Sequence, residues 1–292
     1  MRIANLSAWM MAGVMSLSGS LAMASEVAGR PVDKAIGFQR AVTEVARDIE
    51  WLDNFLLIIM GAVAVFVTAL LLYVIVRFNK RANPKPATFT HNARLEIAWT
   101  AIPVVILVII AIPSLRLLFL QLDVPEPDLT IKATGSQWYW TYEYPDEGIE
   151  FDANMIGSPA TDGDYMLTDA VSEQLEEYGY TAADWLFATD TRVVVPVNAV
   201  VHMLVTGSDV IHAWAIPSFG SKIDAVPGRL NETWFRAEET GIFFGQCSEL
   251  CGMNHSYMPI VVEVVSQPDY DAWVQTQQAM NGAATTELAA AE

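Results

Sequence analysis

Two uninterrupted apolar runs restrict this chain's fold more than any other feature. Phe55 to Val76 is 22 residues without a charge and Ile97 to Leu115 is 19, each close to the ~20 residues an α-helix needs to cross a hydrocarbon core of about 30 Å. Both are read as transmembrane helices, with spans of about 55–78 and 97–116 inside a hairpin over 51–120. Between them Arg77, Lys80, Arg81, Lys85 and Arg94 occur with no acidic residue before Glu96. An excess of Lys and Arg in a short loop marks the cytoplasmic side, so both ends of the mature chain are expected outside. Trp51 and Trp99 stand where interfacial aromatics belong, and Pro103 and Pro113 are expected to bend the second helix.

A third, weaker apolar stretch precedes the pair. Met1 to Ala24 carries one positive charge, Arg2, and ends in Ala22-Met23-Ala24, which fits a secretory signal cleaved after Ala24. Gly, Ser and Asn dilute the run, which argues against a third span. Residues 25–50 then form an exterior N-terminal segment.

Beyond the hairpin the chemistry changes. The whole chain has a formal charge of −18, whereas residues 121–292 contain 27 acids against five bases, a net −22. The acidity therefore belongs to the exterior part, which repels nucleic-acid phosphate and attracts basic partners. A role on nucleic acid is excluded on that ground. Short β-rich runs bounded by Pro, Gly and Asn recur here: 129–134, 138–144, 193–197, 200–206, 232–237, 242–245 and 260–265. They predict a small all-β sandwich or barrel over 121–267. The polar stretch 158–190 reads as a partly helical insertion, and 268–292 as a short helix followed by an Ala-rich tail.

Both cysteines fall in one thirteen-residue stretch, Gln246 to Met258, QCSELCGMNHSYM. In an exported protein the plain reading of Cys247 and Cys251 is a disulfide. A loop that short adds little by closure, and it leaves His255 and Met258 unexplained. Cys and Met are soft donors suited to copper, and two His, one Cys and a weak Met form a blue copper centre. A single copper uses one Cys. Two sulfurs bridging two coppers leave four terminal positions, for which the sequence offers His255, Met258 and one further histidine. His212, in DVIHAWAIP, is the best placed; His202 reads as a strand residue and His91 falls on the cytoplasmic side. The fourth terminal ligand is left to a backbone carbonyl or water.

The order of two spans, β-domain, GSQWYWTYEYP at 135–145, DVIHAWAIP at 209–217, KIDAVPGR at 222–229 and GQCSELCGMNHSYMP at 245–259 resembles subunit II of the haem-copper cytochrome c oxidases of the bacterial aa3 type. The resemblance covers nearly the whole mature chain. It implies a cupredoxin-like domain holding the dinuclear copper centre CuA, with Cys247 and Cys251 bridging, His212 and Met258 completing one copper, and His255 with the Glu249 carbonyl the other. Ala213 stands where many members have Ser, at a non-ligand position.

The same resemblance implies further roles. Trp138 matches the electron-entry residue, and the Glu249 side chain matches a ligand to Mg or Mn shared with subunit I. Glu143, Asp152, Asp190 and Asp209 match carboxylates that dock a basic cytochrome c. Glu96 resembles a residue at the mouth of a proton path in subunit I, although a carboxylate there can equally cap its helix. The implied setting is the bacterial inner membrane, with the copper domain periplasmic, lipid around the hairpin, and the haem-bearing subunit I and subunit III as partners. Electrons would pass from cytochrome c through the copper centre to haem in subunit I, where oxygen is reduced.

Three rivals are set aside on sequence. A copper chaperone calls for a βαβ pattern around the thiols, a quinol oxidase subunit lacks the Cys pair, and a nitrous oxide reductase carries a large His-rich domain that four histidines cannot supply.

Overall fold

In the computed structural model the described residues are 29–85 and 87–290, with side chains described through Met280. The expected signal segment, 1–24, lies outside them.

Helix α1 spans Glu44–Arg77 and α2 spans Ala93–Leu122. Thr43 starts α1: its hydroxyl accepts from the Ala46 N–H at 3.0 Å and donates to the Phe219 carbonyl at 2.8 Å, joining the helix start to the β-domain. Asn92 starts α2 by accepting from the Leu95 N–H at 3.3 Å, and Glu96 Oε1 accepts from the Asn92 N–H at 3.1 Å. Glu96 is therefore a reciprocal cap of its own helix. The apolar side chains along both helices are exposed, as in segments whose solvent is lipid or another subunit. Pro103 and Pro113 lie inside α2, which the helix accommodates without a break in its assignment.

The remainder is a β-sandwich of ten strands: β1 Leu129–Ser136, β2 Tyr139–Tyr144, β3 Ile149–Ala153, β4 Val193–Pro196, β5 Val201–Gly207, β6 His212–Ile216, β7 Ser221–Ala225, β8 Asn231–Phe235, β9 Gly241–Gln246 and β10 Pro259–Val265. One sheet has the order β3-β2-β1-β5-β8, a second β4-β10-β9, and β6 pairs with β7. All seven expected strands are present within one or two residues. Beyond them are β3, β6 and β7, and β2 starts at Tyr139, so Trp138 stands in the turn before it. In β1, β2 and β5 alternate residues are buried, as the period of two requires for a strand with one face on the core. The core between the layers is aromatic: Trp140, Tyr142, Tyr144, Trp214, Phe219, Phe235 and Phe243 are fully buried, and Trp214 and Phe219 both stack on Phe235.

The segment before α1 packs against this domain. Val42 is buried in the domain core, its N–H donating to the Ser218 carbonyl at 3.0 Å and its carbonyl accepting from the Glu238 N–H at 3.0 Å. Arg47 clasps Glu238 with two bonds of 2.7 and 2.8 Å, Arg40 pairs with Glu239 at 2.5 Å, and Arg30 reaches the buried Asp184 at 2.5 Å. The start of α1 and the β-domain thus share one side of the hairpin.

Within 158–190 lie short turns at Pro159–Thr161 and Ala182–Phe187 and helix α3, Asp169–Glu177. Val171 and Leu175 of α3 are buried with Ile156 and Tyr180 against Phe244 of β9 and Val261 of β10. At the C-terminus α4 runs Gln267–Ala290, which corrects the expected short helix and tail. Alanine is the strongest helix former, so the Ala-rich composition read as a tail extends the helix instead.

Candidate metal centre

The stretch holding both cysteines is the loop between β9 and β10. It begins where the ladder ends: the Cys247 N–H donates to the Met258 carbonyl at 3.3 Å, and the Ser248 N–H donates to the Ala213 carbonyl of β6 at 3.0 Å. The second contact lays the loop along β6, whose first residue is His212. The buried Ala213, the position departing from the family pattern, thus contributes its carbonyl to the loop's seat.

Six donors converge there. Cys247 Sγ is 3.9 Å from Cys251 Sγ, 3.9 Å from His212 Nδ1 and 3.3 Å from the Glu249 carbonyl oxygen. Cys251 Sγ is 3.5 Å from His255 Nδ1 and 3.5 Å from Met258 Sδ. The thiols are free, and 3.9 Å is nearly twice the length of an S–S bond. Ligand atoms of His212, Cys247 and Cys251 all lie within 4.8 Å of one another, and all three residues are buried. Two thiols, two imidazoles, a thioether and a carbonyl form a soft donor set of the kind copper takes.

The electrostatics of the pair fit a cationic occupant. Burial pushes the Cys247 thiol up, but His212 and hydrogen bonding around the sulfur outweigh it and bring the group down to about 7. Burial and the adjacent Cys247 push Cys251 up to about 12. One thiolate forms readily, whereas a second beside it needs positive charge to be held.

His212 is oriented from behind. It is fully buried, and its Nε2 lies 2.9 Å from Asp209 Oδ1, so Nδ1 is the nitrogen facing Cys247. Burial lowers the His212 pKa, and the contacts with Cys247 and Asp209 outweigh it, leaving the group raised. A carboxylate on the far nitrogen of a ligand imidazole fixes ring and tautomer. The side chain also lies close to β1: a Cβ placed on Gly135 would stand 3.0 Å from the His212 ring and Cβ, so a larger residue there would press on the imidazole. Trp140 meets it edge-on at 6.1 Å.

Trp138 stands at the rim, half-buried. A Cβ on Gly252, which has a φ of +120°, would stand 3.3 Å from the Trp138 ring; glycine both permits that backbone and lets the indole reach the loop. Gln137 fixes this arrangement by donating from Nε2 to the Cys251 carbonyl at 2.7 Å and from its backbone N–H to Asp209 Oδ2 at 2.8 Å. Sequence reasoning passed over Gln137, although it lies in the quoted GSQWYW motif. It also took Asp209 only as a docking carboxylate, not as a partner of His212.

The other expected carboxylates are dispersed. Glu143 on β2 and Asp152 on β3 lie on the outward face of the large sheet, and Glu143 pairs across the strands with Glu150, an acid the sequence reading did not single out. Glu143 is bound to Lys132 at 2.5 Å, and Asp152 accepts from the Thr141 hydroxyl at 2.6 Å. Asp190 is partly buried, accepting from the Asn154 N–H at 2.8 Å, and burial raises its pKa. The Glu249 side chain is exposed. Glu96 is far along the chain at the other end of the hairpin, and His202 pairs with Glu232 at 3.2 Å on β5 and β8, away from the donor cluster.

Two family models match the chain. The one described as cytochrome c oxidase subunit II, periplasmic domain, matches residues 129–265, and the corresponding transmembrane domain matches 31–117. Cytochrome c oxidase subunit 2 of Cereibacter sphaeroides is 54% identical over 266 residues, covering 90% of this chain and 88% of that protein. A probable cytochrome c oxidase subunit 2 of Rickettsia bellii is 45% identical over 278 residues, covering 94% and 97%. The crystal structure of the periplasmic domain of subunit II of cytochrome oxidase of Bradyrhizobium japonicum is 49% identical, covers 54% of this chain and 99% of that one, and has a TM-score of 0.44.

Proposed function

Since this chain belongs to the cytochrome c oxidase subunit II family, we propose that it is the electron-entry subunit of a respiratory oxidase. It takes electrons one at a time from reduced cytochrome c and hands them to haem in subunit I, where oxygen is reduced to water with proton pumping. The single observation that carries this reading is the convergence of the six donors from His212, Cys247, Glu249, Cys251, His255 and Met258 in one pocket.

His212, Cys247, Cys251, His255, Met258 and the Glu249 carbonyl would together hold a dinuclear copper centre, for which two thiolates, two imidazoles, a thioether and a carbonyl are a fitting soft donor set. When bound, such a centre supplies a one-electron store whose charge change is spread over two metals and two thiolates. The chain's part is to hold the donors still. His212 is held by Asp209 and packed beside Gly135 and Trp140, and the loop is pinned to β6 through the Ser248 N–H and to Gln137 through the Cys251 carbonyl. Donors that cannot move keep reorganisation small on gain or loss of an electron.

Trp138 is the entry residue in this reading, supported by its place beside the loop: a Cβ on Gly252, the residue after Cys251, would stand 3.3 Å from the indole. Docking of a basic cytochrome c is assigned to Glu143, Asp152, Asp190 and Asp209. The Glu249 side chain, exposed beside the loop, is assigned to a Mg or Mn ion shared with subunit I, and Glu96 to the mouth of a proton path. Up to residue 267 the assigned domain organisation is that of the sequence reading, with a signal to residue 24, the hairpin over 51–120 and the copper domain over 121–267, and subunits I and III are the assigned partners. The β-domain sits on the periplasmic side of the bacterial inner membrane, supported by the basic 77–94 loop at the hairpin's other end. Stopped-flow mixing of the assembled oxidase with reduced cytochrome c tests the assignment: donor oxidation should be fast in the wild type and strongly slowed by Trp138→Phe. Donor oxidation unchanged in that variant contradicts entry through Trp138.

A further inference from the structure

The two ligand imidazoles are held very differently. His212 begins a strand, is fully buried and is backed by Asp209, whereas His255 lies in the one-turn segment His255–Tyr257 of the loop and is half-buried. Within the loop it is braced by its own N–H to the Gly252 carbonyl at 3.3 Å and by the Tyr257 N–H to the Asn254 carbonyl at 2.9 Å. A ligand so placed needs support from elsewhere.

That support comes from the 158–190 insertion. Tyr165 accepts a hydrogen bond from Asn254 Nδ2 at 3.1 Å, and its ring packs on Tyr257 with centroids 4.6 Å apart. Asn254 and Tyr257 bracket His255, so one side chain touches the chain on both sides of the ligand. Tyr165 is held firmly enough to do this. Its N–H donates to the Gly157 carbonyl at 2.8 Å, and it sits at a φ of +53°, a conformation that side-chain-bearing residues adopt only when their surroundings impose it. The buried Thr161 hydroxyl ties the same turn by accepting from the Gly157 N–H at 2.9 Å and donating to the Met155 carbonyl at 3.1 Å. Behind it, Val171 and Leu175 of α3 are buried on Phe244 and Val261 of β9 and β10, the strands that lead into and out of the copper loop. Gln246, at the end of β9, donates to the Leu186 carbonyl of the insertion at 3.2 Å.

We propose that the insertion is a brace for the His255 half of the centre, with Tyr165 as a positioning residue acting through Asn254 and Tyr257. The inference rests on the copper-centre reading above. It makes the two halves separable: Tyr165 governs the His255 side, and Asp209 governs the His212 side.

The test compares full-length wild type, Tyr165→Ala and Tyr165→Phe, each loaded with copper in detergent. Release of copper to a chelator should be about tenfold faster in Tyr165→Ala, the lower end of what loss of a ligand-supporting group costs, with Tyr165→Phe between the two because it keeps the ring contact and loses the hydrogen bond. Proton NMR of the oxidised form should show the His255 ring resonances shifted or broadened and those of His212 in place. Thermal unfolding of the copper-free forms separates a folding defect from this local effect, and if Tyr165→Ala does not fold, Tyr165→Phe decides on the same two readouts. Release rates and His255 resonances equal to wild type in the folded variants overturn the proposal, as do equal shifts at both histidines. A wild type that takes up no copper contradicts the underlying reading instead.

Discussion

Asp209 Oδ1 lies 2.9 Å from His212 Nε2, while Asp209 Oδ2 accepts from the Gln137 N–H at 2.8 Å. One carboxylate therefore joins the imidazole proposed as a copper ligand to the residue preceding the proposed electron-entry tryptophan. Desolvation raises the Asp209 pKa, but the bonds from His212, Val210 and Gln137 outweigh it and hold the group below the usual range, so it is charged at neutral pH. Asp209→Asn should speed copper release by about tenfold and move the His212 ring resonances. Chelator kinetics at neutral pH check this; wild-type release would leave Asp209 as a docking charge only.

Docking has a sign test built into the large sheet. Glu143 is half of an ion pair with Lys132, so Glu143→Gln removes a negative charge and exposes a positive one, whereas Lys132→Met does the reverse. The first should slow association with a basic cytochrome c and the second should speed it, with both effects fading as salt shortens the screening length from ~8 Å. Asp152→Asn should flatten the salt dependence without touching copper retention. Association rates from stopped-flow mixing across a salt series measure all three, and equal rates at low salt would place docking elsewhere.

The hairpin orientation is open to labelling. A cysteine at Thr88, in the basic loop, should resist a membrane-impermeant reagent in intact cells, and one at the exposed Ala160 should react. Labelling at Thr88 would invert the assigned topology.

Val42 lies far from the domain in sequence and inside its core in space. Val42→Ala should lower the stability of the β-domain by about 1 to 2 kcal/mol, the range for removing buried methyl groups that surroundings cannot refill. Thermal unfolding of the detergent-solubilised protein measures it. An unchanged midpoint would mean that the N-terminal segment only rests on the domain.

Features carried by local composition were legible before the structure: the apolar runs, the alternation in β1, β2 and β5, and the clustered donors of the copper loop. The strands β3 and β7 went unassigned because each is only five residues long, although Ile149, Phe151 and Ala153 alternate with Glu150 and Asp152 in the pattern of a half-buried strand. What sequence reasoning lost at the site depends on pairings across long separations. Gln137 meets Cys251 across 114 residues, Asp209 meets Gln137 across 72, and Tyr165 meets Asn254 across 89. No local periodicity encodes such contacts, because the fold brings them together. Glu96 shows the opposite case, since its cap on Asn92 is local and readable from spacing alone.

Metal analysis with electron paramagnetic resonance on the protein, reduced and copper-replete before oxidation, reads out whether Cys247 and Cys251 hold two coppers between them. Two coppers per chain, with one unpaired electron shared between equivalent nuclei and a multi-line hyperfine pattern that collapses in Cys247→Ser and in Cys251→Ser, is the predicted result. One copper per chain with a single-nucleus pattern, or no copper and a Cys247–Cys251 disulfide under the same conditions, would contradict it.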